Sequence, residues 1–179
     1  MKDLTKGSPS KVMISFAIPV ALGNIFQLCY SLADTRVVGS TLGEAALAAV
    51  GATTSISTLF IGFLSGLTNG FALLIARQFG AGNKKGVTRY GAGCLLLGCI
   101  TSVLLTFICV SSLPFILRLL NVPEALMGQS TAYIRAVLLG LLATMLYNGC
   151  ASILRAVGDT TAPLLFLLFA AALNVALDL

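Results

Sequence analysis

Five long apolar stretches follow one another along this chain, each free of Asp, Glu, Lys and Arg. They run over residues 12–33, 45–76, 90–117, 136–154 and 160–177. Apolar residues fill them on all sides and lack the three-to-four rhythm of a helix that is wet on one face. Crossing hydrocarbon takes about 20 residues of helix, and without water every backbone group must be satisfied inside the segment. The pattern therefore predicts an all-α membrane protein with helices over 12–36, 46–76, 90–117, 131–154 and 160–179.

The polar breaks support those limits. Gly80-Ala81-Gly82-Asn83-Lys84 suits a tight turn, and Asn121-Val122-Pro123-Glu124 reads as a helix break. Asp159, ahead of Thr160 and Thr161, is an N-cap, with Pro163 tolerated in the first turn. Pro19 is expected to kink the first helix. Gly62, Gly66 and Gly70 form a small-residue stripe expected to pack within the bundle.

Composition removes whole classes of function. The 179 residues are 58% hydrophobic and 9% charged, whereas soluble domains carry about 45–50% apolar and about 25% charged residues. Soluble enzymes, nucleic-acid modules and secreted disulfide scaffolds are excluded. There is no His, so imidazole metal sites and triads are unavailable. The five Cys lie inside the apolar stretches without metal-ligand spacing and read as buried thiols. The net charge of +5 marks loops and not a nucleic-acid partner. Lys2, Lys6, Lys11, Arg77, Lys84, Lys85, Arg89 and Arg155 fall on one side, and Arg36, Arg118 and Arg135 on the other. The positive-inside rule then puts the N-terminus in the cytoplasm of a multi-pass cell-membrane protein. Val12 to Ala33 is too long for a cleavable signal peptide. The last helix reaches Leu179 with no loop or cap beyond it, so a fragment of a longer membrane protein is expected.

Polar residues inside spans carry the functional information, because a mid-membrane Asp costs roughly 2.5–3.5 kcal/mol. Asp34 and Asp178 qualify. At 1.5 Å per residue they lie about 33 Å and about 27 Å along their helices, at similar depths near the outer end. Tyr30 and Asn174 precede them by one turn, on the same helix faces. The four could form one cluster that binds a proton, Na⁺ or a cationic amine, Na⁺ falling to Asp34, Asn174 and Asp178. Asn148, Gln27 and Asn69 are further candidates for a substrate path, with Tyr147 beside them. Each of these also suits an interhelical hydrogen bond.

Several segments together carry a family likeness. They are Pro19 with Tyr30 to Gly39, Leu42-Gly43 with Ala46 to Gly51, Gln78 to Asn83, and Ala132 to Arg135. Ile153 to Thr160 with Pro163, and Leu173 to Asp178, complete them. The sequence resembles the N-terminal lobe of the multidrug and toxic compound extrusion (MATE) transporters over nearly its whole length. That resemblance implies most of one six-helix lobe, a partial N-terminal lobe over residues 1–179, with the C-terminal lobe absent. It also implies efflux of small cationic or amphiphilic compounds from membrane-embedded protein, by antiport with H⁺ or Na⁺ and without another cofactor. The family's coupling Asp and Tyr of the first helix match Asp34 and Tyr30, and its fifth-helix Asn and Asp match Asn174 and Asp178. Arg36 departs from the usual pattern, and the sixth-helix Thr has no counterpart.

Three alternatives remain. A lipid-linked precursor flippase of the same superfamily should carry cations within its spans, and the apolar stretches hold no Lys or Arg. An intramembrane aspartyl protease needs two Asp close enough to share a proton, and neither Asp34 nor Asp178 has the expected neighbours. A non-transporting membrane scaffold is the third.

Overall fold

In a computed structural model the described residues are 9–41 and 43–178, almost all of them helical. Helix α1 spans Pro9–Thr41, α2 Gly43–Gly80 and α3 Lys84–Leu119. Helices α4 (Glu124–Leu139) and α5 (Leu141–Ala156) follow, then α6 (Thr161–Asp178). The five expected helices are present, but the fourth starts earlier than predicted and is interrupted. Gly140 alone separates α4 from α5, so Glu124–Ala156 forms one apolar traverse with a break in its middle. That traverse, α2, α3 and Met13–Val37 of α1 are long and apolar enough to cross a membrane, and α6 is a shorter apolar helix.

Local chemistry explains the turns. Gly82 takes a left-handed φ of 70° between α2 and α3. The Asn83 carboxamide then closes the turn from both sides. Its oxygen accepts from the Gly86 N–H at 3.0 Å, and its nitrogen donates to Gln78 Oε1 at 2.8 Å. Asn121, at φ 55°, ends α3, a conformation that Asn tolerates better than most residues. Asp159 caps α6 as expected, its carboxylate accepting from the Thr161 and Ala162 N–H groups at 3.1 and 3.0 Å. Helix α1 continues through Pro19, and α3 through Pro114.

Packing divides these helices into two groups. Helices α2 to α5 pack on one another and hold the core, which includes Leu64, Leu113, Leu117, Ile134, Leu138, Leu141 and Met145. Thr106, on α3, donates to the Leu138 carbonyl at 2.9 Å, just ahead of the Gly140 break. Buried hydroxyls turn back on their own helices, Thr53 to the Ala49 carbonyl and Ser102 to the Cys99 carbonyl, which spares them a partner across the bundle. Helices α1 and α6 pack on each other and join the bundle only through α1 against α2 and α5 against α6. Among the described residues α1 makes no close approach to α5, nor α6 to α2. The gap this leaves is where the polar residues gather.

Two expectations about small residues are corrected. Gly62, Gly66 and Gly70 do not pack inside the bundle. They are exposed, and a Cβ added at any of them would meet nothing within 4 Å. They lie on the outward side of α2, while Leu64 faces the core. The close helix approach falls instead at Gly98 of α3, where a Cβ would come within 1.7 Å of Met145 Cε. Of the cysteines, Cys94 and Cys109 are buried, but Cys29 and Cys150 are exposed on their helices.

Candidate functional site

A cavity of about 630 Å³ lies between the α1–α6 pair and the α2 and α5 faces of the bundle. Helical periodicity builds its wall. From α5, Thr144, Asn148 and Arg155 face it, together with Tyr147. From α2 come Ser65, Thr68 and Asn69, and from α1 Gly23, Asn24 and Gln27. Spacings of three, four and seven residues put each set on one helix face. Helix α6 contributes a mainly apolar strip, with Leu164 and Leu167 close to Gly23 of α1. Gln27, Asn69 and Asn148, picked from the sequence on three separate helices, thus share one cavity.

The polar groups form short relays across the helix seams. Asn148 Nδ2 lies 3.5 Å from Ser65 Oγ, and Ser152 Oγ lies 3.5 Å from Asn69 Oδ1. Arg155 Nη2 donates to Ser152 Oγ at 3.2 Å. Ser152 is 1% exposed, so its hydroxyl is fixed between an amide and a guanidinium. These bonds link α2 to α5 and leave the α1 amides Asn24 and Gln27 facing the gap.

Arg155 corrects the sequence reading. There it stood as a loop charge on the cytoplasmic side, and the spans were taken to hold no cation. In the structure it occupies the last turn of α5, half-buried, and lines the cavity. The signal was present as the stripe Thr144, Asn148, Ser152 and Arg155, spaced four, four and three apart on one face. Ending the span at Leu154 cut the stripe before its last member. The absence of intraspan cations therefore no longer argues against an anionic cargo.

The side chains of Tyr30, Asp34 and Asp178 lie outside the described residues, so their predicted cluster has no described geometry. Asn174 is described, half-buried on α6. The backbone register is nonetheless informative. Helices α1 and α6 are the first and fifth traverses and so run in the same direction. They touch where Gly23 meets Leu164 and Leu167. Positions 34 and 178 each lie about 17–21 Å beyond that contact, toward the same end. Among the described residues no group of three or more Cys, Asp or Glu is placed to hold a metal ion.

Comparison with known proteins agrees with this architecture. The MatE family profile matches residues 19–179. The chain is 30% identical over 177 residues to the probable multidrug resistance protein YpnP of Bacillus subtilis, covering 98% of this chain and 39% of that protein. It is 29% identical to an FAD transporter of Shewanella oneidensis, covering 99% of this chain and 40% of the relative. Among solved structures, a MOP-superfamily transporter from Pyrococcus furiosus, described as having a binding pocket of reversed polarity, superposes with a TM-score of 0.90 at 30% identity. That match covers 98% of this chain and 38% of the transporter. The chain thus spans about two fifths of the length of the relatives it matches. Apolar helices, a gap walled by amides and this agreement in sequence and structure lead to one assignment: the chain belongs to the MatE family, the multidrug and toxic compound extrusion transporters, which are multi-pass membrane transporters and not enzymes.

Proposed function

We propose that this chain supplies the N-terminal cavity of a secondary active exporter, which moves cationic or amphiphilic compounds out of the cell in exchange for H⁺ or Na⁺. The observation that carries the reading is the convergence of Gln27, Asn69 and Asn148 from three helices on one cavity of about 630 Å³. Ligand sites use convergent polar groups beside apolar surface, and this cavity has both, amides on α1, α2 and α5 and an apolar strip on α6. Amides that are only partly used inside the protein can bind varied cargo through either their oxygen or their nitrogen. The N-terminus faces the cytoplasm on this reading, which puts Arg155 and the α5–α6 turn at the cytoplasmic end.

Coupling is assigned to Asp34 and Asp178, with Tyr30 and Asn174 as hydrogen-bonding partners and with Na⁺, where it is the coupling ion, held by Asp34, Asn174 and Asp178. Two carboxylates close together in low dielectric cannot both stay ionised easily, so a proton or Na⁺ from outside is bound with gain. Exchange requires that this ion and the cargo favour different states of the same bundle. The loosely attached α1–α6 pair, which carries all four residues, is the element suited to have two positions.

The test is ethidium efflux from an exporter-deficient host expressing a full-length transporter with this sequence as its N-terminal part. Asp34→Asn and Asp178→Asn keep the shape and remove the ionisable group. Each is expected to abolish gradient-driven efflux at unchanged membrane abundance. Wild-type rates and ion dependence in both variants would falsify the coupling site.

A further inference from the structure

Arg155 is the one charged side chain on the cavity wall among the described residues. A guanidinium offers five N–H donors and does not give up its proton. Here Nη2 donates to Ser152 Oγ, and Tyr147 shares the same wall. Asp159, four residues on, is engaged by the Thr161 and Ala162 N–H groups instead. No described carboxylate pairs with Arg155. A half-buried cation without a counter-ion is unfavourable, and an anion arriving from the cavity would supply one.

The neighbours fix how that partner is met. Ser152 Oγ can donate to Asn69 Oδ1 and accept from Arg155 Nη2 at the same time, which holds the planar fork in place. Thr160, 9% exposed, stands on the same wall at the start of α6. Beyond this end the α1 and α6 side of the wall is apolar at Val20, Leu164 and Leu167, across from the amides of α2 and α5. A guanidinium fork at one end of a cavity with one apolar side suits a bidentate oxyanion carried by an apolar body.

We propose that this end of the cavity is an anion subsite, in which Arg155 takes the carboxylate, sulfonate or phosphate of an amphiphile whose apolar part lies along α1 and α6. The inference rests on reading the cavity as the cargo site, and it narrows the cargo class. It does not compete with cation coupling, because α6 puts position 178 about 27 Å from Thr160. The anionic group has two sources, a soluble amphiphile or an acidic lipid headgroup.

Binding of 1-naphthyl phosphate and of 1-naphthol to the full chain in phosphatidylcholine nanodiscs tests it, with empty nanodiscs subtracted. The readout is the ratio of the two affinities, which partial loss of folded protein does not move. The wild type is expected to prefer the phosphate by about tenfold or more, the worth of a charge-assisted hydrogen bond. Arg155→Gln should bring the ratio close to one, and Arg155→Lys, with charge but no fork, should fall between. Loss of the preference on adding phosphatidylglycerol identifies the lipid headgroup as occupant, and persistence identifies a soluble solute; both support the subsite. Equal binding of both probes, or a ratio unmoved by Arg155→Gln, overturns the subsite and leaves the cavity as a cargo site. Failure of both probes to bind overturns the cavity reading with it.

Discussion

Leu113, toward the end of α3, is fully buried, whereas Leu28, near the middle of α1, is 67% exposed. Both leucines sit in helices apolar enough to cross a membrane, and the difference lies in what surrounds them. Helices α2 to α5 bury their apolar residues against one another, while among the described residues α1 contributes no buried core residue and α6 little more than Pro163. In water such a pair of helices would be a fault. In a bilayer lipid covers exposed leucine at no cost, and helices associate through close packing and hydrogen bonds instead. The contrast teaches that hydrophobicity puts all the helices in the membrane, while packing decides which of them form a fixed body. The cavity lies along the border between the tight group and the loose one, so its width depends on two helix seams only.

The largest effect that probes this contrast is truncation of the two leucines. Leu113→Ala removes contacts that nothing can replace and should cost about 2–5 kcal/mol of stability. Leu28→Ala exchanges protein–lipid contact for lipid–lipid contact and should stay within about 0.5 kcal/mol. Thermal unfolding of the two variants in the same nanodiscs measures the gap. Equal losses would show that α1 is packed as firmly as α3 and would dissolve the distinction between the groups.

Glycines sharpen the comparison at the next level of size. Gly98 sits against Met145, which is itself fully buried and has little room to move. Gly98→Ala is therefore expected to cost about 1–3 kcal/mol through overpacking. At the α1–α6 seam a Cβ on Gly23 would meet Leu164 and Leu167 at 3.6 and 3.7 Å, an ordinary contact. Gly23→Ala should be neutral or gain up to about 1 kcal/mol from the better helix propensity of Ala. A loss at Gly23 as large as at Gly98 would mean that the seam is as tight as the bundle.

The same two regions differ in how far they can be read from sequence. The five traverses, the turn at Asn83 and the cap at Asp159 are legible, because charge-free length and turn chemistry are local properties. The break at Gly140 is not, since a single glycine in an apolar run looks like any small residue, and here it is tertiary contact, with Thr106 reaching Leu138, that accompanies the interruption. The stripe at Gly62, Gly66 and Gly70 misled for a related reason: spacing shows that small residues share a face but not what lies opposite. Gln27, Asn69 and Asn148 were legible as polar residues in apolar spans, while their convergence needed the fold. Arg155 was legible only as one end of a polar stripe, and a span boundary drawn one residue early hid it. The proposed coupling residues Asp34 and Asp178 come from resemblance and depth along their helices.

The smallest predicted effect concerns the hinge between the two groups. The α5–α6 turn runs from Val157 to Thr160, with Gly158 at φ 89°. It is one of two places where the loose pair is tied to the bundle. Asp159 holds the α6 end of this tie by accepting from two backbone N–H groups, which would otherwise lack a partner at the start of a helix. Asp159→Ala should cost about 1 kcal/mol, the usual worth of such a cap. Because the described residues of α6 add little to the core of α2 to α5, that loss should stay local. Amide hydrogen exchange is expected to quicken roughly fivefold in the first turns of α6, since 1 kcal/mol corresponds to about that factor. Protection in α3 should be unchanged. Faster exchange across α3 as well would show that the two groups open together, and that the cavity border is not a seam along which they can part.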